Sequence, residues 1–156
     1  MKDLGLMHYF LGLEVWQRLG EIFLSQGKYI VKLLERFGMV DCKFVTTLME
    51  LNFKKLCGSV VGLDLGNPTE YRQLVGALMF LVNSSLDIFA MNTLSQYMVE
   101  PHHNHWIGAK NLLRYLWGTI NQGLRYTAWR MRLHGYTDAD WASIVVDRKS
   151  TSGCCY

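Results

Sequence analysis

Hydrophobic positions change their spacing several times along the chain. From Tyr9, the stretch YFLGLEVWQRLGEIFLSQ contains two strand-like runs joined by Arg18-Leu19-Gly20-Glu21. Two such runs around a glycine turn predict a β-hairpin. Ile30, Leu33, Leu34 and Phe37 then fall at i, i+3, i+4 and i+7, which predicts a helix that Gly38 ends. Residues 41–67 lose any period and are punctuated by Gly58, Gly62, Gly66 and Asn67-Pro68. An extended linker is expected there, with Phe53, Leu56 and Val60 able to dock on a core.

The next helix is expected to start at Asn67-Pro68, with Asn67 as the cap and Pro68 in the first turn. Its stripe of Leu74, Leu78, Leu81 and Val82 reads as core. SLDIFAMNTLSQYMV predicts another helix, stopped before Pro101. A third begins near His103, and its stripe is Trp106, Ala109, Leu112, Leu113 and Leu116, with Lys110 and Arg114 on the other side, one turn apart. After Gly118 the period shortens to two. GLRYTAW and RLHGYTDADWA predict strands, and STSGCCY a further one. No internal repeat or low-complexity tract occurs.

Composition narrows the class. The 156 residues suit one domain or two small ones, and half are hydrophobic, enough for a sizeable core. The net charge of +3 permits an anionic partner without requiring one. Cys42, Cys57, Cys154 and Cys155 include no C-x-x-C pair. The adjacent pair would point to opposite faces of a strand, so a reducing intracellular compartment is the simpler expectation. The N-terminus carries no signal peptide pattern. The longest apolar run, Leu74 to Val82, is far short of the roughly 20 residues of a membrane span. No membrane partner is expected.

The segment HGYTDADWA, residues 134–142, carries the candidate chemistry. On a strand, Tyr136, Asp138 and Asp140 share one face, while Gly135, Thr137, Ala139 and Trp141 point the other way, towards an expected core. Two like charges on one face of a central strand need cations or donors between them. Divalent metal binding is one solution, and Mg²⁺ suits a site of few carboxylates. A solvated strand end explains the same pair.

Several motifs together resemble one family. GYTDADWA followed by DRKSTSG resembles the first strands of the ribonuclease H domain in copia-type retrotransposon polyproteins. MKDLG, HYFLGLEV, IFLSQGKYI, LLERFGM, NPTEYRQLVG, NTLSQYM and LLRYLWGT are similar, in the same order, to that family's reverse transcriptase downstream of its polymerase site. The resemblance implies that Asp138 is the first metal-binding carboxylate of a ribonuclease H site, with Asp140 beside it. It implies that FLGLEV is the hairpin supporting the primer terminus, where Gly12 lets backbone approach nucleic acid. The family's Y-x-D-D polymerase turn would lie before Met1, and its other nuclease carboxylates beyond Tyr156. Three places depart from the family: SLDI at 85–88 for RPDI, TTLME at 46–50 for STPME, and Ser143-Ile144-Val145-Val146 after DADWA. A copy under relaxed constraint and a short frame cut from a longer element both fit these changes.

Two further groups stand out. His102, His103 and His105 invite a zinc proposal, but no acid or cysteine lies at ligand spacing, so a helix-entry or surface role is expected. Lys110, Arg114, Arg125, Arg130 and Arg132 are interleaved with Tyr115, Trp117, Tyr126 and Trp129. Cations meet phosphates and aromatics stack on bases, although a solvated helix face plus core aromatics gives the same pattern.

The expectation is therefore an α/β chain in three parts. Residues 1–40 form a hairpin and helix from palm and thumb, 41–120 a helical connection, and 121–156 the incomplete start of a ribonuclease H-like sheet with an exposed edge and marginal stability. The family's activity is RNA-directed DNA polymerase with ribonuclease H. The chain alone is expected to be inactive, with nucleic-acid contacts at Gly12, Lys110 and Arg114, catalytic positions Asp138 and Asp140, and a metal at Asp138 in the parent family. Stable Mg²⁺ binding is not expected here. Expected partners are an RNA–DNA hybrid, held weakly, and the remainder of the Pol polyprotein. The alternative is a non-catalytic nucleic-acid binder or a functionless remnant. Cytoplasm or nucleus is the expected location, with an organelle-encoded copy also allowed.

Overall fold

The structure, a computed structural model, describes residues 5–48, 65–82, 88–128, 135–140 and 150–155. Its first unit is a four-stranded antiparallel sheet built from β1 (Tyr9–Phe10), β2 (Leu13–Arg18), β3 (Glu21–Ser25) and β4 (Leu124–Thr127), in that spatial order. Two-residue loops make both hairpins. Leu11 and Gly12 join β1 to β2 with φ of 47° and 81°, the two positive values that a type I′ turn needs. Leu19 and Gly20 join β2 to β3, and Gly20 has φ of 76°. The expected hairpin is present, with Arg18 paired to Glu21.

Helix α1 (Gly27–Arg36) follows β3 directly. Gly38, at φ 63°, lets the chain turn back so that Met39 N–H donates to Leu34 O at 2.8 Å. Helix α2 (Pro68–Val82) starts where proline and asparagine predict, and Asn67 Oδ1 accepts the Thr69 N–H at 3.2 Å. Helices α3 (Ile88–Ser95) and α4 (His103–Gly118) complete the set. Ile30, Leu33 and Leu34 of α1 meet Tyr71, Leu74, Val75, Leu78 and Leu81 of α2, Met91 and Leu94 of α3, and Ala109, Leu112, Leu113 and Leu116 of α4 in one core. The i, i+3, i+4 stripes are what bring four helices to a shared apolar centre. Tyr71 is fully buried, and its hydroxyl donates to Leu94 O at 2.7 Å. No helix among the described residues is long and apolar enough to cross a membrane.

The fold is mixed α/β, and four details differ from expectation. Helix α3 ends at Ser95 rather than just before Pro101, because the Arg72 guanidinium captures Met98 O at 2.7 Å and Val99 O at 3.1 Å. The start of the expected linker is docked: Arg114 Nε donates to Lys43 O at 2.7 Å, and the Phe44 ring lies against Gly118. Phe53, Leu56 and Val60 lie outside the described residues.

The third difference concerns the division at residue 120. Strand β4 pairs with β3, from Glu21 opposite Thr127 to Leu24 opposite Leu124. The expected boundary would separate β4 from the sheet it completes. Local alternation identified β4 as a strand, but its partner lies about 100 positions earlier, and periodicity holds no partner information. The fourth concerns β5 (Tyr136–Asp140) and β6 (Thr151–Cys155), which make a separate two-stranded antiparallel sheet. Thr137 and Ala139, expected to face a core, are exposed. Two strands alone present both faces to solvent unless another layer covers one.

Candidate nucleic-acid interface

The register of the four-stranded sheet sorts its side chains. Tyr9, Glu14, Trp16, Arg18, Glu21, Phe23, Ser25, Arg125 and Thr127 belong to one face. Trp16 stands directly opposite Phe23, their rings 5.5 Å apart at 45°, and Phe23 stands opposite Arg125. Helix α1 rises beside this face. A groove of about 600 Å³ lies between them, with Trp16 and Phe23 on its sheet wall and Lys28 and Lys32 on its helix wall.

Glu14 organises that wall. Its carboxylate is buried and accepts the Lys28 backbone N–H at 2.8 Å, and Lys28 Nζ lies 3.4 Å from its other oxygen. Ser25 Oγ accepts the Gly27 N–H at 3.2 Å. A carboxylate at a helix N-terminus complements the helix dipole, so an internal acid occupies the place an external anion would otherwise take. The lysine side chains remain the cations directed to solvent, that of Lys28 being 70% exposed. Chemically, the groove offers two aromatic rings for stacking and two lysines for phosphates, with Glu14, paired to Lys28, and Glu35 lining the same space. Sequence reading missed Trp16, Phe23, Lys28 and Lys32 as candidates. A signal existed: Trp16 and Phe23 sit three residues either side of the Leu19-Gly20 loop, which makes them cross-strand partners.

Gly12 occupies the β1–β2 turn. A Cβ there would lie 2.7 Å from the Phe80 ring of α2, so the space a side chain would fill is taken by protein. Phe80 in turn contacts Tyr29 of α1 at 4.9 Å between centroids. Leu11 beside it is 70% exposed at positive φ, a conformation that branched side chains avoid.

Lys110 and Arg114 share α4 but differ in setting. Lys110 Nζ sits over the Trp106 ring at 4.9 Å, Trp106 meets Phe37 edge-on, and the Arg36 guanidinium lies 5.5 Å from the Phe37 ring. This cation–aromatic row is at the far end of α1 from Lys28, about 13 Å away along the helix. Arg114 is engaged with Lys43 O and with Asn111 Oδ1 at 3.3 Å. Arg125 and Tyr126 are neighbours in sequence yet lie on opposite faces of β4. The basic-aromatic run at 110–132 is thus dispersed over several surfaces, and Trp129, Arg130 and Arg132 lie outside the described residues.

The histidines act at a helix entry. His105 Nδ1 accepts the His102 backbone N–H at 2.9 Å, and its ring stacks on Tyr97 at 3.9 Å and 17°. Burial first, and His102 second, push His105 down to about 4, so it is neutral and a good acceptor. No cluster of three or more metal-ligating residues occurs among the described residues.

Asp138 and Asp140 lie on β5, opposite Gly153 and Thr151 of β6. Their side chains are outside the described residues. Neither cross-strand neighbour is acidic. No element pairing places β5 in the sheet that holds the groove.

Known proteins place the chain. It is 43% identical over 155 residues to the retrovirus-related Pol polyprotein of transposon RE1 of Arabidopsis thaliana, covering 98% of this chain and 10% of that protein. The corresponding protein of transposon TNT 1-94 of Nicotiana tabacum is 37% identical over 162 residues, covering 98% of the chain and 12% of the protein. The chain belongs to the Pol polyprotein family of copia-type retrotransposons. This Pol segment is also 39% identical over 157 residues to an uncharacterized mitochondrial protein of Arabidopsis thaliana, covering 99% of the chain and 64% of that protein. It therefore spans about a tenth of the Pol polyproteins and under two thirds of the mitochondrial one. No family model and no solved structure matches it.

Proposed function

We propose that this Pol segment is a nucleic-acid-holding part of a reverse transcriptase, leading into the start of a ribonuclease H-like unit, and that it catalyses nothing by itself. The observation that carries this reading is the groove in which the Trp16–Phe23 pair faces Lys28 and Lys32. Rings supply sequence-tolerant stacking, and lysines supply phosphate contact, which together suit a strand of an RNA–DNA hybrid. The β1–β2 turn, with Leu11 projecting beside Gly12, is the primer-supporting hairpin in this reading. Lys110 is a second, more distant phosphate contact, and Arg114 acts by anchoring the 41–48 segment. Because β4 pairs with β3, the ribonuclease H-like part begins at β5 rather than at residue 121.

In the parent family Mg²⁺ would be held by Asp138, with Asp140 on the same face. It would supply charge neutralisation at a scissile phosphate. Among the described residues, the cross-strand neighbours Gly153 and Thr151 add no carboxylate beside this pair. No Y-x-D-D sequence occurs within the 156 residues. The remainder of the Pol polyprotein is the proposed partner that completes both activities, in an intracellular setting.

Fluorescence anisotropy with a labelled RNA–DNA hybrid tests the reading. Weak binding that falls steeply with added salt is expected, and no DNA synthesis or RNA cleavage with Mg²⁺ present. Measurable catalysis by the purified chain, or no binding at low salt, would overturn it. In the latter case the functionless-remnant reading stands.

A further inference from the structure

The two rings of the groove are set so that paired bases cannot use both. Trp16 and Phe23 are 5.5 Å apart between centroids, and their planes differ by 45°. In a duplex, successive bases are parallel and about 3.4 Å apart. Inside it each base face is covered by its neighbour in the stack, and only a base freed from the stack can lie on a ring. Arg125 stands opposite Phe23 on β4, so Trp16, Phe23 and Arg125 form a row of planar groups across three strands, about 4.8 Å from one strand to the next. Trp16 is 48% exposed, and Arg125 is exposed too. The rest of the lining has mixed charge. Lys28 and Lys32 are exposed, while Glu35 and Asn121 line the same space. A phosphate beside Glu35 would be repelled, whereas the amino group of a base can donate to its carboxylate, and the Asn121 amide can pair with a base edge.

We infer that the ligand of this groove is unpaired nucleic acid. Its bases are splayed onto Trp16 and Phe23, with the Arg125 guanidinium extending the row. Base edges meet Asn121 and Glu35, and phosphates meet Lys28 and Lys32. That preference rests on the groove being a nucleic-acid site, and it narrows the site to the part of a hybrid where one strand is no longer paired. A fully paired hybrid reaches the rings only by opening its end, and the cost of unpairing offsets part of the stacking gain.

Competition anisotropy with the full 156-residue chain tests this, with circular dichroism as a folding check. Three RNA–DNA hybrids of the same paired length are compared at constant salt: one fully paired, one with a single-stranded tail, and one whose tail is abasic. The base-bearing tail should tighten binding at least about tenfold over the other two, the gain from stacking one or two bases. Trp16→Leu and Phe23→Leu keep apolar bulk but lose the plane, so each should remove most of that gain. Trp16→Phe should keep most of it. Lys32→Gln should weaken all three hybrids alike and leave their ratio unchanged. A paired hybrid bound as tightly as the tailed one, or an abasic tail bound as tightly as a base-bearing one, overturns the preference and leaves the groove a nucleic-acid site. A tail gain that persists in both leucine variants, or that Lys32→Gln removes, also overturns it. If none of the three hybrids binds at low salt, the nucleic-acid reading itself falls, and the preference with it.

Discussion

The helical unit and the β5–β6 sheet are built on different principles. In the first, four amphipathic helices bury one core around Leu74, Leu113 and Tyr71, each of them fully enclosed. In the second, two five-residue strands pair with each other, and Tyr136, Thr137 and Ala139 are exposed. Packing therefore supports the helical region, while the described residues around the two acids, Tyr136, Thr137 and Ala139, are exposed.

Core truncation should separate the two regions most strongly. Leu74→Ala is expected to cost about 4 kcal/mol in urea unfolding, because it opens a cavity among three helices. Thr137→Ala should change the same transition by less than about 0.5 kcal/mol. Equal effects would remove the distinction.

Acid should act on the helical unit through His105. Its pKa in the fold, about 4, lies below the ordinary 6.5. The unfolded chain takes up that proton first, so stability is complete above about pH 6.5 and falls as pH drops towards 4. The loss attributable to this ring is about 3 kcal/mol at most. His105→Gln should flatten that part of the stability profile measured by thermal melts, whatever it does to stability at neutral pH.

Smaller effects sharpen the picture at the sheet. Glu14→Ala should cost about 1 kcal/mol, through the lost acceptor at Lys28 N–H and the lost carboxylate at the start of α1. Glu14→Gln should recover part of it. Leu11→Asn should be neutral or stabilising by up to about 1 kcal/mol, because asparagine tolerates positive φ better than leucine. Gly12→Ala should be the reverse: positive φ and the Phe80 ring both oppose a Cβ.

Elements whose cause is local were legible in the sequence. The β2–β3 hairpin follows from alternation around Gly20, α1 from its apolar spacing and Gly38, and α2 from Asn67-Pro68. What depends on distant partners was not. Nothing near residue 124 announces pairing with Leu24, and nothing near Ser95 announces that Arg72 will capture the next carbonyls. The groove was hidden for the same reason. Nothing local marks Lys28 and Lys32, and only the packing of α1 beside the sheet brings Trp16 and Phe23 near them. Conversely, the basic residues at 110–132 looked like one patch only because sequence distance is not spatial distance.

Hybrid affinity compared between the two regions tests the central claim most directly. Trp16→Ala and Phe23→Ala should each weaken RNA–DNA hybrid binding about tenfold at constant salt, a stacking loss of about 1–2 kcal/mol. Asp138→Asn should leave that affinity unchanged. Binding that ignores the two rings and responds to Asp138 would contradict the account.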